Sequence, residues 1–290
     1  MRNDKEVLKE IKNWGLTNQD VRTVILTSSR ANPNGHVDLF SDYDIEVVVR
    51  NREKFLSNEE WLSAFGEILT LIWEDNDEFS MRLVLYKDYV RIDFKMYELT
   101  YFKKHGEQIE LPGNWDNGYN LLVDKDGISS SFASPGYTAF IIKRPTTDEF
   151  SSVVNDFWWD ITYVAKSLWR DEIYYAKFML DNIIRFSYLQ KMIEWNIGLR
   201  HNWQVTTNKH GRFFKQYLDA ETWAELQTTF AGSEIEENWN ALFATTQLFR
   251  QLATKIAAEL NYSYPKKTDI EITAYLKKIK ALDKNAFEIE

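Results

Sequence analysis

The sequence contains no cysteine, and its four histidines are scattered along 290 residues. Without thiols the protein can form no disulfide bond and no thiolate metal site. Scattered histidines also disfavour a structural zinc site. We therefore expect any metal ion to be bound by carboxylates.

Long apolar runs and a secretory signal are missing as well. No stretch is long enough to span a bilayer, and the charged start MRNDKEVLKEIKNWG lacks the apolar core of a signal peptide. We expect a cytoplasmic protein that has no membrane partner.

Positive charge is scarce: 44 acidic residues outnumber 35 lysines and arginines, and the net charge is −9 at pH 7. Nucleic-acid binding needs a dense basic surface, so we expect no nucleic-acid partner. The acidic excess favours a cationic small molecule as substrate. A simpler interpretation also explains the acidic excess, namely that acidic residues keep the protein soluble.

What the sequence does contain is the pattern of an α+β protein. Helix and strand signals mix up to about residue 145, and helical periodicity dominates beyond it. We predict a first domain over 1–145, with a mixed β-sheet flanked by helices, and an all-α helical bundle over 146–290. The chain is long enough for two cores of this size.

In the first domain the pattern predicts a helix ending at Gly15, a strand over 24–26 and a long polar loop. Ser57 and Glu60 form a capping box that predicts a second helix. Its apolar stripe consists of Trp61, Leu62, Phe65, Ile68, Leu69 and Ile72. A hairpin around Lys87 and a strand over 119–123 follow.

In the second domain, Thr146 and Glu149 form another capping box. The helical pattern then continues with few breakers to Gly198. Further helices are predicted over 223–260 and 268–282.

Asp42 and Asp44 lie in the strand-like segment SDYDIEVVV. Side chains alternate along a strand, so both aspartates and Glu46 share one face. Carboxylates this close repel each other, and Mg²⁺, which prefers oxygen ligands, relieves the repulsion. An Asp-x-Asp pair alone is a weak signal, because the end of a solvated strand often carries such residues.

A polar turn of Ser28, Ser29 and Arg30 follows the preceding strand. Backbone amides, hydroxyls and a guanidinium in such a turn can bind phosphate oxygens. The order of turn, loop and acidic strand therefore predicts phosphate binding beside a metal site.

Asp93 adds a third carboxylate on the polar face of the second hairpin strand. If that strand pairs beside the one carrying Asp42 and Asp44, Asp93 can ligate a metal ion or accept a proton from an attacking hydroxyl. The alternative is an exposed aspartate paired with Arg91 or Lys95.

The arrangement of SSR, SDYDIEVVV and IDF resembles the DNA polymerase β-like nucleotidyltransferase superfamily. The whole chain, including FWWDITYVAKSLWRDEIYYAKFMLDNIIR over 157–185, is similar to the aminoglycoside 6-adenylyltransferases, which inactivate streptomycin. The resemblance implies a nucleotidyltransferase domain followed by an acceptor-binding helical domain. It also implies Mg²⁺-dependent transfer of AMP from ATP to the 6-hydroxyl of streptomycin, with release of pyrophosphate and antibiotic resistance.

The resemblance assigns roles to the matching residues. Ser28–Arg30 takes the place of the family's phosphate-binding Gly-Ser-Arg turn, and Asp42 and Asp44 take that of its metal ligands. Asp93 corresponds to the third carboxylate, the expected general base. Ser28 stands where the family has glycine, which puts nucleotide affinity and rate in question more than reaction type.

Trp159, Lys166, Arg170 and Lys177 share one helical face if their helix is continuous. In the family the helical domain closes the cleft and contacts the acceptor. Lys166 and Lys177 are therefore candidate nucleotide ligands, and Trp159 is a candidate acceptor contact. The alternatives are a solvated surface for the lysines and core packing for Trp159.

Asp160 and Asp171 are candidate partners for cationic groups of the substrate, or simply acids on a helix surface. A monomer is expected. Two other functions stay open on the sequence alone: nucleotidyl transfer to another acceptor, and an inactive nucleotide-binding module.

Overall fold

The computed structural model describes residues 2–103 and 113–286. The chain divides into two units, Met1–Ala139 and Phe140–Glu290. The N-terminal unit contains, in chain order, α1 (Asp4–Thr17), β1 (Val21–Thr27), β2 (Tyr43–Val49), α2 (Glu53–Leu56), β3 (Ile68–Asp75), β4 (Phe79–Tyr86), β5 (Arg91–Glu98), α3 (Leu99–Lys103) and β6 (Tyr119–Asp124).

The six strands form one sheet in the order β3-β4-β5-β2-β1-β6. The central strands β2 and β5 pair in parallel, while their other neighbours are antiparallel. Together with the helical C-terminal unit, this mixed sheet confirms the predicted α+β class.

Helix α1 covers one face of the sheet and begins at a capping box formed by Asn3 and Glu6. The predicted end at Gly15 is wrong, because the helix continues to Thr17. Gly15 instead allows the helix to approach β1: a Cβ added there would lie 2.6 Å from a methyl group of Val24. The glycine serves close packing rather than chain reversal.

The helix predicted after Ser57 is also wrong. Residues Glu60–Phe65 form 3₁₀ turns whose apolar side chains Leu62 and Phe65 are buried, and the turns end at Gly66, which has a φ of 133°. Beyond Gly66 the chain forms β3 and pairs with β4. The segment is rich in β-branched residues, and pairing with a neighbouring strand outweighs the helical spacing of its apolar residues. The predicted hairpin and the strand over 119–123 are confirmed as β4–β5 and β6.

The C-terminal unit contains α4 (Thr147–Trp169), α5 (Ile173–Lys177), α6 (Gln190–Arg200), α7 (Phe214–Tyr217), α8 (Ala220–Thr228), α9 (Ile235–Leu260) and α10 (Lys266–Ala281). The capping box of Thr146 and Glu149 is confirmed at the start of α4. Between α5 and α6 the chain continues as a π-helix over Phe178–Leu189. The core is rich in aromatic side chains, with Phe157 of α4 stacked on Phe249 of α9.

The continuous helix predicted to Gly198 is interrupted after α4. Asp171 adopts a left-handed φ of 63°. Its amide donates to the carbonyl of Leu168, and the amide of Glu172 donates to that of Ser167. These two bonds form a Schellman motif, which ends a helix when one residue adopts the left-handed conformation. An aspartate in the usual place of glycine conceals the signal in the sequence.

The block predicted over 223–260 is divided into α8 and α9, and the predicted final helix is confirmed as α10. Within the described ranges, no helix is both long and apolar enough to cross a membrane.

Candidate active site

The register of the parallel pair β2–β5 brings the predicted carboxylates together. Asp44 on β2 lies directly beside Asp93 on β5. Neighbouring strands are about 4.8 Å apart, and partners in a parallel pair project from the same face. Asp42, two residues before Asp44, shares that face. The three carboxylates therefore border one small region at the start of both strands, as predicted.

Arg91 completes this cluster. Its Nε and one terminal nitrogen donate to the two carboxylate oxygens of Asp93 at 2.9 and 2.8 Å. Its other terminal nitrogen lies 3.5 Å from an oxygen of Asp42. The hydrogen bonds to Asp93 raise the pKa of Arg91 against the opposing effect of burial, and the charges of Asp93, Asp42 and Asp44 raise it further. The pairing of Asp93 with Arg91, which the sequence left open as an alternative, is therefore present inside the carboxylate cluster.

The chemistry of this cluster suits a divalent cation, although its present geometry is that of an ion pair. Among residues 2–103 and 113–286, no group of three acidic or histidine side chains is arranged to hold a metal ion. A cationic guanidinium already lies against two of the predicted metal ligands, Asp42 and Asp93. Mg²⁺ needs only one or two protein carboxylates, because water and substrate phosphates complete its ligand shell. Asp42 and Asp44 can supply these oxygens.

The predicted phosphate-binding turn forms a single 3₁₀ turn over Ser28–Arg30, directly after β1. Ser28 has a φ of 61°, in the left-handed region. Its carbonyl accepts the amides of Ala31 and Asn32, each at 3.1 Å. Ser28 and Ser29 are half-buried. The turn thus lies at the end of a strand adjacent to β2, near the predicted metal ligands.

Arg30, predicted to contact phosphate, holds the following loop in place. Its Nε donates to the backbone carbonyl of Asp42 at 3.0 Å, and a terminal nitrogen donates to that of Ser41 at 2.7 Å. Its other terminal nitrogen binds the carboxylate of Asp4 at 2.6 Å. The guanidinium also stacks on the ring of Tyr43, 3.8 Å from its centroid. Arg30 therefore fixes the backbone that carries Asp42, a role that the sequence did not indicate.

A cavity of about 350 Å³ lies beside the cluster. Charged and aromatic side chains line it, among them Arg30, Phe40, Tyr43, Tyr89 and Arg91. Phe40 and Tyr89 are largely exposed. The cavity is large enough for part of a small-molecule substrate.

In the C-terminal unit, the predicted ligands do not form one helical face. Trp159 and Lys166 lie on α4, whereas Lys177 lies on α5, beyond the break at Asp171. Nζ of Lys166 lies 4.1 Å from the ring centroid of Tyr163. The predicted shared face is wrong because the Schellman motif redirects the chain between the two lysines.

Two of these charged groups have local partners. Nζ of Lys177 lies 2.7 Å from the carboxylate of Asp181 and 2.8 Å from the carbonyl of Ala231. Asp160 accepts the hydroxyl hydrogen of Tyr188 at 2.5 Å. Burial first, and then this bond, raises the pKa of Tyr188.

The remaining two candidates are solvent-facing. Asp171 is exposed in the turn after α4. Trp159 is 68% exposed, while its neighbour Trp158 is buried at 1%. The alternative of core packing therefore fails for Trp159, although the neighbouring Trp158 packs in the core.

Comparison with known proteins identifies the relatives of this chain. The family described as streptomycin adenylyltransferase matches residues 1–279. The chain belongs to this family. The resemblance of the whole chain to the aminoglycoside 6-adenylyltransferases is thereby confirmed.

Relatives of this adenylyltransferase cover nearly its whole length. An aminoglycoside 6-adenylyltransferase from Campylobacter jejuni is 33% identical over 91% of this chain and 92% of its own length. One from Bacillus subtilis is 32% identical over 91% of this chain and 94% of its own length. A crystal structure of an aminoglycoside 6-adenyltransferase from Bacillus subtilis aligns with 97% of this chain and 100% of its own, with 27% identity and a TM-score of 0.48.

Two features of this adenylyltransferase bear on its site residues. Ser28 stands where the resemblance expects glycine, and its left-handed φ is one that glycine adopts without steric cost. From the sequence, Arg91 is expected only as an alternative partner for Asp93. Its position two residues before Asp93 on the same strand face, with opposite charge, is the signal that identifies it.

Proposed function

We propose that this protein transfers AMP from ATP to a hydroxyl of an aminoglycoside, specifically the 6-hydroxyl of streptomycin, and releases pyrophosphate. The reaction confers resistance to the antibiotic. The observation that carries the proposal is the register pairing of Asp44 with Asp93 and the position of Asp42 on the same face. The names of relatives that are about one-third identical support the choice of acceptor.

In the proposed reaction, Asp42 and Asp44 would hold Mg²⁺, which would supply positive charge beside the triphosphate. The amides and hydroxyls of Ser28 and Ser29 bind phosphate oxygens. Arg30 keeps Asp42 in place through its hydrogen bond to the Asp42 carbonyl. These residues orient the α-phosphorus for in-line attack, and positioning and electrostatics supply most of the acceleration.

Asp93 is the proposed general base. It accepts the proton of the attacking hydroxyl as the new P–O bond forms and the bond to pyrophosphate breaks. Its side chain is 14% exposed, at the edge of the cluster. Arg91 contacts both oxygens of this carboxylate, and its release would open the whole carboxylate to the attacking hydroxyl.

The charge of the protein is consistent with a cationic acceptor. The net charge of −9 favours approach of a polycationic aminoglycoside and disfavours nucleic acid. We propose that Trp159, Asp160 and Asp171 contact the acceptor, and that Lys166 and Lys177 contact the nucleotide. A cytoplasmic monomer completes the proposal.

A pyrophosphate-release assay with ATP, Mg²⁺ and a panel of aminoglycosides tests the function. We expect turnover with streptomycin, and an AMP group on its 6-hydroxyl in the NMR spectrum of the product. Turnover only with another acceptor would refute the streptomycin assignment and keep the chemistry. No turnover with any acceptor, alongside measurable ATP binding, would identify an inactive nucleotide-binding module.

A further inference from the structure

Arg91 contacts the acidic cluster in an unequal arrangement. Two of its nitrogens donate to both oxygens of Asp93, and a third lies 3.5 Å from Asp42. The side chain of Arg91 is 44% exposed, whereas that of Asp93 is 14% exposed. The carboxylate is fixed at the sheet surface, while the guanidinium can leave toward solvent without unpacking the core.

The guanidinium and a metal ion would compete for the same carboxylate oxygens. Three carboxylates on one strand face repel each other, and a positive charge among them lowers that repulsion. Arg91 supplies that charge in this arrangement. A metal ion that binds without nucleotide would only replace one cation by another, so its net gain in binding free energy would be small. Two cations at the same carboxylates would also repel each other.

A displaced Arg91 guanidinium can move into a neighbouring cavity. The cavity of about 350 Å³ is bordered by Arg91 together with Tyr89 and Val90. An arginine binds phosphate oxygens through two parallel hydrogen bonds, much as Arg91 now binds Asp93. A nucleotide triphosphate in this region would give Arg91 a new anionic partner and free the carboxylates.

We propose that Arg91 is an internal counter-ion that occupies the acidic cluster without substrate, and that it moves to the nucleotide triphosphate when the metal ion binds. Metal and nucleotide then bind cooperatively, because each contributes part of the free energy needed to release Arg91 from Asp93. By linkage, each raises the affinity of the other by the same factor. This inference rests on the proposed function, since it requires a metal–nucleotide site at Asp42 and Asp44.

The test measures Mn²⁺ binding to the full chain by electron paramagnetic resonance, without nucleotide and without turnover. For wild type we expect weak binding. Arg91→Gln removes the competing cation and should bind Mn²⁺ more tightly by roughly 5- to 150-fold, the usual range of coupling between sites. Arg91→Lys keeps a charge but loses the two-pronged contact, so its Mn²⁺ affinity should lie between the two.

Arg22→Gln is the matched control. Arg22 also lies on a strand and binds both oxygens of an aspartate, Asp126, through Nε at 2.7 Å and a terminal nitrogen. It is on β1, outside the carboxylate cluster. Removing its charge should leave Mn²⁺ affinity within about twofold of wild type, well below the coupling expected at Arg91.

A second measurement separates the failure of the inference from that of the function. Affinity for an ATP analogue with a methylene bridge between the α- and β-phosphates is measured with and without Mn²⁺. Without metal, Arg91→Gln should bind the analogue more weakly, since the guanidinium that contacts the triphosphate is gone. Two results together would overturn the counter-ion role and leave the function intact. Wild type would bind Mn²⁺ only in the presence of the analogue, and Arg91→Gln without the analogue would bind Mn²⁺ no more tightly than wild type. No Mn²⁺ binding by any variant, even with the analogue, would overturn both.

Discussion

The two units of the chain arrange their polar side chains differently. In the N-terminal unit, Asp44 and Asp93 are brought together by strand register from positions 49 residues apart in sequence. In the C-terminal unit, several charged groups pair within one helical turn, as Lys177 does with Asp181, and others pair between helices, as Lys280 does with Glu236. A sheet can assemble like charges from distant segments, whereas the helices here place opposite charges together.

The electrostatic consequence is that the N-terminal cluster contains like charges that only a cation can balance. Asp42, Asp44 and Asp93 border one region, and Arg91 lies against Asp42 and Asp93. Several like charges close together lower the stability of a fold, and such clusters are typical of functional sites. Locally paired charges such as Lys177 and Asp181 carry no comparable signal.

The largest difference between the two units is expected when one charge in each is neutralised. Asp44→Asn should lower kcat/KM for adenylyl transfer by about 10³-fold or more, equivalent to about 4 kcal/mol, because a proposed metal ligand is lost. Lys166→Gln, on the helical unit, should lower it by less than about tenfold, since half-buried Lys166 is proposed only to contact the nucleotide and to hold no metal ion. Steady-state kinetics with streptomycin measure both.

Asp20→Asn controls for the loss of a negative charge in the N-terminal unit, because Asp20 pairs with Lys54 outside the cluster. Its activity should be unchanged. An Asp44→Asn variant that keeps activity within tenfold of wild type would contradict the assignment of Asp44 as a metal ligand.

Much of the N-terminal site was predictable because a strand has a period of two. That period alone placed Asp42 with Asp44, and Asp93 opposite Ile92 and Phe94. What the sequence could not show was that β2 and β5 are neighbours, since strand order depends on long-range pairing. The contacts of Arg30 with Asp4 and Ser41 likewise require a loop conformation that no local pattern specifies.

Two of the local predictions that failed show why they did. The apolar residues after Ser57 fit a helical period, yet Gly66 interrupts them and Ile68–Asp75 pairs with β4 as a strand. In the C-terminal unit, Asp171 adopts the left-handed conformation after α4, and a glycine at this position would have predicted the end of that helix. Periodicity describes burial well, but by itself it neither locates a chain reversal nor separates a helix from a strand over a short apolar segment.

The two adjacent tryptophans of α4 provide the next largest effect. Trp158 is fully buried in the helical core, so Trp158→Ala should lower the free energy of unfolding by about 3–5 kcal/mol. Trp159 is 68% exposed, so Trp159→Ala should change it by less than about 0.5 kcal/mol. Urea unfolding followed by circular dichroism measures both.

Trp159 also bears on the comparison between units. If it contacts the acceptor as proposed, Trp159→Ala should raise the KM for streptomycin and leave that for ATP unchanged. Unchanged kinetics for both substrates would remove Trp159 from the acceptor site.

A smaller effect is expected at the buried arginine of the π-helix. Arg185 donates to the hydroxyl and the carbonyl of buried Thr229 at 2.6 and 2.8 Å, and it also pairs with Asp181. Arg185→Met fills similar space but leaves the Thr229 carbonyl without this donor, so we expect a loss of about 2 kcal/mol in unfolding free energy. Arg200→Met breaks an exposed pair with Asp219 and should cost no more than about 1 kcal/mol. Equal losses in the two variants would show that burial does not govern the cost.

The smallest effect concerns the start of α8, where Asp219 accepts the amide of Thr222 at 2.8 Å. That bond, the Thr222 hydroxyl and Arg200 lower the pKa of Asp219 from 3.8 to about 2. Asp219→Ala removes the cap and should cost about 1 kcal/mol of unfolding free energy at pH 6. Asp219→Asn keeps a capping oxygen and should cost less.

The two variants also differ from wild type in their response to acid. Because folding lowers the pKa of Asp219, the ionised side chain stabilises the protein fully above pH 3.8, and this contribution is lost as the pH falls toward 2. The advantage of wild type over Asp219→Asn should therefore shrink between pH 5 and pH 2 in urea unfolding, while other carboxylates affect both proteins alike. An advantage that is constant or grows toward acid would show that Asp219 is not the ionised cap of α8.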